Sequence, residues 1–383
     1  MTAESSILSP IIFGERGVGK TSLANCLADF IPNPSEDPNV EPFFNTPRVN
    51  CTSGSTYESI WREVFLKIAL TQRTQQVGFA GKLTEESVSY ADALPEQFGP
   101  TEVQHLLGLA AREKSLIVAI DEFDKITDQA TKTLMADTLK ALSDHGVAAT
   151  ILLVGIGDTV DELITEHQSV ARCLRQIAMP RMSQDDVRAV VRTGINRFNA
   201  RCPDFQLAAS DDALSVVATL SRGMPHYAHL LAQQACVMAI EKDEHEVTRF
   251  HVLNGTERAL SGVQQYVLSS YVKATTSAHK NALHRAVLTA AAITPPDPLG
   301  FFAPSEIRPH LSEIVKRSVQ MGTYMKHLHE FCTPDRASVL QKQGEAWKCR
   351  FRFRDPLMQP FVVIRALGEG TLNLSVLLRE GGD

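Results

Sequence analysis

The sequence predicts an α/β fold: a parallel sheet around a phosphate-binding loop, then a helical domain, then helices and a hairpin in winged-helix order. Three observations predict it. The stretch Gly14-Glu15-Arg16-Gly17-Val18-Gly19-Lys20-Thr21 matches GxxxxGK[ST] and lies between an apolar run, Ile7 to Phe13, and an amphipathic stretch, Ser22 to Phe30. Two continuous apolar runs, 116–120 and 149–155, read as strands buried on both faces of a parallel sheet and alternate with helical patterns. From residue 183 onward the strand signals give way to 3.6-residue periodicity.

Taken in order, Pro32 to Pro38 reads as an irregular turn region, and Pro47 to Cys51 as a short strand. A helix is expected from Tyr57 to Leu70, with Ile60, Trp61, Val64, Phe65 and Ile68 on one face. Residues 71–100 are polar and carry Gly78, Gly81, Pro95 and Pro100, which predicts an insertion or a long loop. A helix over Thr101–Lys114 leads into the run ending in Asp121-Glu122; another over Thr131–His145 leads into the run ending at Gly155. Helices are then expected over Asp185–Asn199, Ser210–Leu220, Pro225–Glu241 and Thr248–Val272, with a hinge at Ala274-Thr275-Thr276-Ser277. Further helices are predicted at His279–Ile293, Pro304–Val315 and Gly322–Phe331, followed by a hairpin pairing 338–342 with 347–353. Three domains result: 1–182, 183–274 and 275–383.

Composition excludes several classes. Of 383 residues, 44% are hydrophobic and 21% charged, an ordinary globular balance with material for a large core. The 7 cysteines are scattered without a CxxC pair, which argues against a zinc site or a disulfide framework and fits a reducing, cytoplasmic setting. No leader-like segment and no apolar run of membrane-spanning length is present, so neither export nor a membrane partner is expected. Net charge is −6, yet residues 275–383 carry 14 Lys and Arg against 10 Asp and Glu, a mildly basic tail on an acidic chain.

The loop's glycines let successive N–H groups turn toward phosphate oxygens, making Gly14 through Thr21, with Ser22, the candidate nucleotide contacts. Lys20 is expected to reach the β- and γ-phosphates, and Thr21 to ligate Mg²⁺. Asp121 is the candidate second Mg²⁺ ligand and Glu122 the candidate base that polarises the attacking water. Asp124 is expected to cap the helix that follows. In the tail, Lys348, Arg350, Arg352 and Arg354 alternate with Cys349, Phe351 and Phe353, which on a strand places cations and apolar groups on opposite faces. With Lys316, Arg317 and Lys326 nearby, this reads either as a basic wing for DNA phosphates or as a half-buried hairpin whose domain binds protein.

Ile117 to Asp124, together with the phosphate loop, resembles the AAA+ ATPases, nearest in style to the origin-recognition (Cdc6-like) and transposition-regulator branch. That resemblance covers most of the chain and implies a P-loop AAA+ core, a helical lid and a C-terminal winged-helix-like domain. It implies ATP with Mg²⁺ as the ligand, a homo-oligomer as the working form, and coupling of nucleotide state to DNA or partner engagement. It also implies roles for further residues. Asp158, or Thr159, stands where the family carries a polar sensor. Arg172, or Arg175, stands where it carries an arginine finger, and His226 stands in place of the sensor-2 arginine, with Arg222 nearby. Only 13 residues precede Gly14, so the adenine-binding wall is expected from elsewhere, such as the lid. No NKxD-type guanine motif is apparent. The contrasting expectation is a nucleotide-binding switch or scaffold with little turnover.

Overall fold

The computed structural model describes residues 8–31, 44–75, 83–112, 114–156, 168–261, 265–277, 283–345 and 348–380. They divide into two compact units: residues 1–14 with 19–179, and residues 15–18 with 180–383. The proline-rich stretch 32–38 and the Gly78 and Gly81 positions lie outside the described residues.

The first unit is built on a parallel sheet of strands β1 (Ser9–Phe13), β2 (Phe44–Asn45), β3 (Arg48–Asn50), β6 (Ser115–Asp121), β7 (Ala149–Gly155) and β8 (Leu174–Ala178). β6 lies between β7 and the pair β2 and β3, β7 pairs with β1, and β1 with β8. Because all pair in parallel, the C-terminal ends of β1 and β6 share one edge of the sheet. The central strands β6 and β7 read as long apolar runs because both faces are covered. Ile11, Val118, Ile120, Ile151 and Leu153 join one apolar cluster, while Ile12, Ala119, Leu152 and Val154 join another. That alternation is the two-residue period of a strand with a core on each side.

Helices α1 (Lys20–Asn25), α2 (Leu27–Phe30), α3 (Tyr57–Leu66), α4 (Pro100–Ala110) and α5 (Gln129–Asp144) complete this unit. The expected single helix after the loop breaks at Cys26 into α1 and α2. Thr56 starts α3 through a capping box with Ser59, and Tyr57, Ile60, Trp61, Val64 and Phe65 are buried. Residues 71–100 are not a long loop. β4 (Ala69–Gln75) and β5 (Leu83–Ser89) form an antiparallel hairpin that pairs with no other strand among the described residues. Its sequence is polar at nearly every position, so it lacks the alternation by which a half-buried strand is recognised. The Asp124 expectation is corrected as well. Asp124 lies in a 3₁₀ turn, Phe123–Lys125, and the α5 cap is Asp128, whose carboxylate accepts from Thr131 N–H at 2.9 Å.

In the second unit, α6 (Gln184–Arg201) begins with a Ser183–Asp186 capping box, α7 (Asp211–Ser221) and α8 (Pro225–Glu241) pack with it, and α9 (Arg249–Ser261) packs on α7 and α8. Two short strands, β9 (Ala208–Ala209) and β10 (Glu246–Val247), pair in parallel beside them. α10 (Gln265–Thr275) runs through the expected hinge: Ala274 and Thr275 are buried, and Thr275 Oγ donates to the Tyr271 carbonyl at 2.8 Å. The remainder contains α11 (His284–Ile293), α12 (Pro304–Ile314), α13 (Met321–Glu330), α14 (Met358–Gly368) and α15 (Leu374–Glu380). A three-stranded antiparallel sheet of β11 (Phe301–Phe302), β13 (Arg350–Phe353) and β12 (Leu340–Gln343) accompanies them. The hairpin is therefore present, with a third strand added. No element was expected at α14, which buries nearly all its length because Phe361, Val362, Val363 and Ile364 point to a core on every side.

Among the described residues, no helix is long and apolar enough to cross a membrane. All 7 cysteines are free.

Candidate functional site

Gly17 and Gly19 hold φ of +87° and +105°, a backbone region open to glycine at little cost. A Cβ on Gly14 would fall 2.3 Å from the Met179 carbonyl oxygen, so this position also excludes a side chain. The loop thus has the left-handed turns that aim amide groups inward. Gly19 is the cap position of α1 and supplies no side-chain acceptor, which leaves the first-turn N–H groups for another oxygen. Lys20 Nζ donates to the Gly14 carbonyl at 3.0 Å, folding the side chain back over the loop. Thr21 and Ser22 are exposed.

Asp121 and Glu122 end β6 at the same sheet edge as the loop. They sit in opposite environments. Asp121 is 2% exposed; its Oδ2 accepts from Arg48 Nη2 at 2.9 Å and its Oδ1 from the Glu122 N–H at 2.8 Å. Glu122 is 42% exposed, adopts φ +57°, and pairs with Lys125 Nζ at 2.6 Å. A left-handed glutamate costs on the order of 1 kcal/mol. Asp124 belongs to the same group. Burial raises its carboxyl above the usual range, while the nearby Lys20 charge pulls it down.

Arg48 was not anticipated from the sequence. It comes from β3, where the register places Asn50 opposite Asp121, and the same nitrogen also reaches Asn50 Oδ1 at 3.1 Å. Its Nε is buried without a hydrogen bond. Cys51 follows, its N–H bonded to the Asp121 carbonyl at 2.8 Å; burial, aided by the Asp121 charge, pushes its thiol up to about 12. That thiol is no nucleophile at neutral pH.

The other candidates are placed as follows. Arg172 lies in a 3₁₀ turn, 65% exposed, paired with Asp144 at 3.0 Å. Arg175 is on the edge strand β8. Asp158 and Thr159 lie outside the described residues. His226 is exposed in the first turn of α8, edge-on to the Tyr227 ring.

Glu15, Arg16, Gly17 and Val18 group with the second unit. There the Glu15 carboxylate is buried and held by Arg181, whose Nη2 is 2.9 Å from Oε1. Arg181 Nη1 donates to Gln359 Oε1 at 2.6 Å, and Gln359 Nε2 to the Ala292 carbonyl at 2.8 Å. The Glu15 side chain is therefore committed to a structural ion pair. Gly300, at φ +84°, packs so close to this carboxylate that a Cβ would overlap it.

In the C-terminal hairpin the alternation holds: Cys349, Phe351 and Phe353 are buried, and Lys348, Arg350 and Arg354 exposed. Two of its cations are engaged. Arg350 pairs with Asp297 at 2.9 Å, and Arg352 lies over the Phe301 ring at 4.6 Å and donates to Gln341 Oε1 at 3.0 Å.

Residues 5–164 match the protein-family model described as AAA domain. Over these residues, fewer than half of the chain, the protein resembles the AAA+ ATPases. No curated protein matches the sequence at a significant level. Among solved structures, the Walker-type ATPase PABY2304 of Pyrococcus abyssi is similar at 16% identity and a TM-score of 0.50, over 94% of this chain and 92% of that one. The Aeropyrum pernix ORC1 protein, solved in complex with DNA, aligns at 15% identity and a TM-score of 0.45, over 96% of this chain and 88% of that one. Cdc6p from Pyrobaculum aerophilum aligns at 12% identity and a TM-score of 0.42, over 95% and 88%. At such identities the likeness to the Pyrococcus protein is one of fold.

Proposed function

We propose that this chain, with an AAA domain over residues 5–164, is a cytoplasmic ATPase that binds ATP with Mg²⁺ and couples nucleotide state to self-assembly and to DNA or protein engagement. The observation that carries it is the shared sheet edge. A glycine-turned phosphate loop and a buried-then-exposed carboxylate pair stand at the ends of parallel strands, where α/β folds bind ligands. The donor set fits the ion: the Thr21 hydroxyl and the Asp121 carboxylate are hard oxygen ligands of the kind Mg²⁺ takes. When bound, the ion supplies charge neutralisation at the phosphates.

The chain's own residues supply the rest. Lys20 moves from the Gly14 carbonyl to the terminal phosphates. Arg48 fixes the orientation of Asp121, so Arg48 acts as a positioning residue. Glu122, exposed beside its buried neighbour, takes the proton of the attacking water, and releasing Lys125 from its surface ion pair costs little. Arg172 completes the site of an adjacent copy; its exposed pair with Asp144 is equally easy to exchange.

The test is a mixing experiment on Mg²⁺-dependent ATP turnover. Lys20→Ala is expected to lose ATP affinity by about a hundredfold, near 3 kcal/mol. Arg172→Ala is expected to lose turnover on the order of 10³-fold while still binding ATP. Mixed, the two restore activity at interfaces that join a sound loop to a sound finger; no restoration would rule out action between copies.

A second reading is favoured by the engagement of Arg350 and Arg352 within the hairpin: the C-terminal region then binds protein, and the chain works as a nucleotide switch. DNA affinity of the full chain, measured against salt, separates the two. Phosphate contact predicts a fall of about 0.9 in log K per log salt for each contact. A flat profile selects the protein-binding reading.

A further inference from the structure

Three chemistry-bearing side chains in the second unit meet away from every residue assigned above. His284 is the first residue of α11; His327 and Glu330 stand in the last turn of α13. Spacing of i and i+3 puts the latter two on one helical face, the arrangement that paired helical metal ligands use. His284 Nε2 lies 2.8 Å from Glu330 Oε2, and His327 Nδ1 lies 3.3 Å from the same oxygen. The two imidazoles are 4.4 Å apart at 64° between planes, and all the donor atoms fall within 4.8 Å of one another.

We infer that His284, His327 and Glu330 bind one divalent transition-metal ion of the zinc type, clamping α11 to α13. Two imidazole nitrogens and one carboxylate are the protein ligands of an open tetrahedral zinc site, its fourth position left to water. Bonds of ~2.0–2.1 Å place tetrahedral ligand atoms roughly 3.3 Å apart. Each imidazole nitrogen already stands 2.8 or 3.3 Å from the Glu330 oxygen, close to that spacing. The His284 side chain is 7% exposed, so the ring is held with Nε2 toward Glu330. The ring's placement is explained by what Nε2 faces. An entry path exists, because Glu330 is 31% exposed and Lys326, 3.7 Å from its other oxygen, is 80% exposed and free to swing away. Occupancy also bears on the hairpin, since His329 on the same helix packs edge-on against Phe351 of β13.

The test uses the full chain, stripped with a chelator and titrated with Co²⁺ and with Zn²⁺. One equivalent of Zn²⁺ retained after dialysis is expected, with Co²⁺ giving the visible bands of a tetrahedral nitrogen and oxygen site and no near-ultraviolet thiolate band. His327→Gln and Glu330→Gln, both at partly exposed positions, should each lose that equivalent and the Zn²⁺-dependent rise in Tm. Wild-type protein retaining no ion, a thiolate band from any of the 7 cysteines, or uptake unchanged in both variants would overturn the assignment. If either variant fails to fold, the wild-type Co²⁺ spectrum decides alone.

Discussion

The nucleotide edge of the first unit and the helix-and-hairpin region of the second assemble chemistry-bearing residues in different ways. At the sheet edge, consecutive residues do different work: Asp121 is buried and fixed by Arg48, while Glu122, the next residue, is half exposed and held in a left-handed turn. A strand end delivers neighbouring residues to one crevice, so a short motif is enough to mark the site. In the second unit the groups that meet come from distant helices, with 46 residues separating His284 from Glu330. Helix packing brings such groups together without leaving a local pattern.

That contrast can be broken experimentally. The larger effect is expected from Arg48→Ala in the first unit, which strands a carboxylate that is 2% exposed. About 2 kcal/mol of stability should be lost in urea unfolding, together with a severalfold drop in turnover. An unchanged midpoint would mean that Asp121 finds another partner. A smaller effect is expected from Ser183→Ala at the start of α6, where the hydroxyl accepts from the Asp186 N–H at 3.1 Å. The loss should be about 1 kcal/mol, with no change in turnover.

The same cap carries a pH signature. Hydrogen bonds from the Ser183 hydroxyl and N–H hold the Asp186 carboxyl below its usual value of 3.8. Its folded pKa being depressed, its contribution is fully present above 3.8 and fades as pH falls through the lower folded value. Acid unfolding of Ser183→Ala should lack the part of that increment that the hydroxyl supplies, the N–H bond being kept.

Much of the fold and the glycine turns of the Gly14–Thr21 loop could be read in advance, for physical reasons. Strands β6 and β7 carry long apolar runs because both sheet faces are covered, Gly17 and Gly19 are demanded by positive φ, and Gly14 by the Met179 carbonyl packed against it. What escaped was non-local. Arg48 serves Asp121 only through the parallel register of β3 on β6. Glu15 reads as a loop position open to any residue, yet its carboxylate answers Arg181, more than 160 positions away. The polar β4–β5 hairpin shows no apolar face, and α14, buried all round, shows no periodicity to detect.

The central claim is that Glu122 is the hydrolytic base beside a nucleotide held by other residues, and Glu122→Gln tests it most directly. ATP affinity and single-turnover hydrolysis should be measured on the same Mg²⁺-containing sample. The account predicts wild-type affinity with hydrolysis slowed on the order of 10²–10⁴-fold, because the amide cannot take the proton of the attacking water. Hydrolysis at the wild-type rate would contradict it.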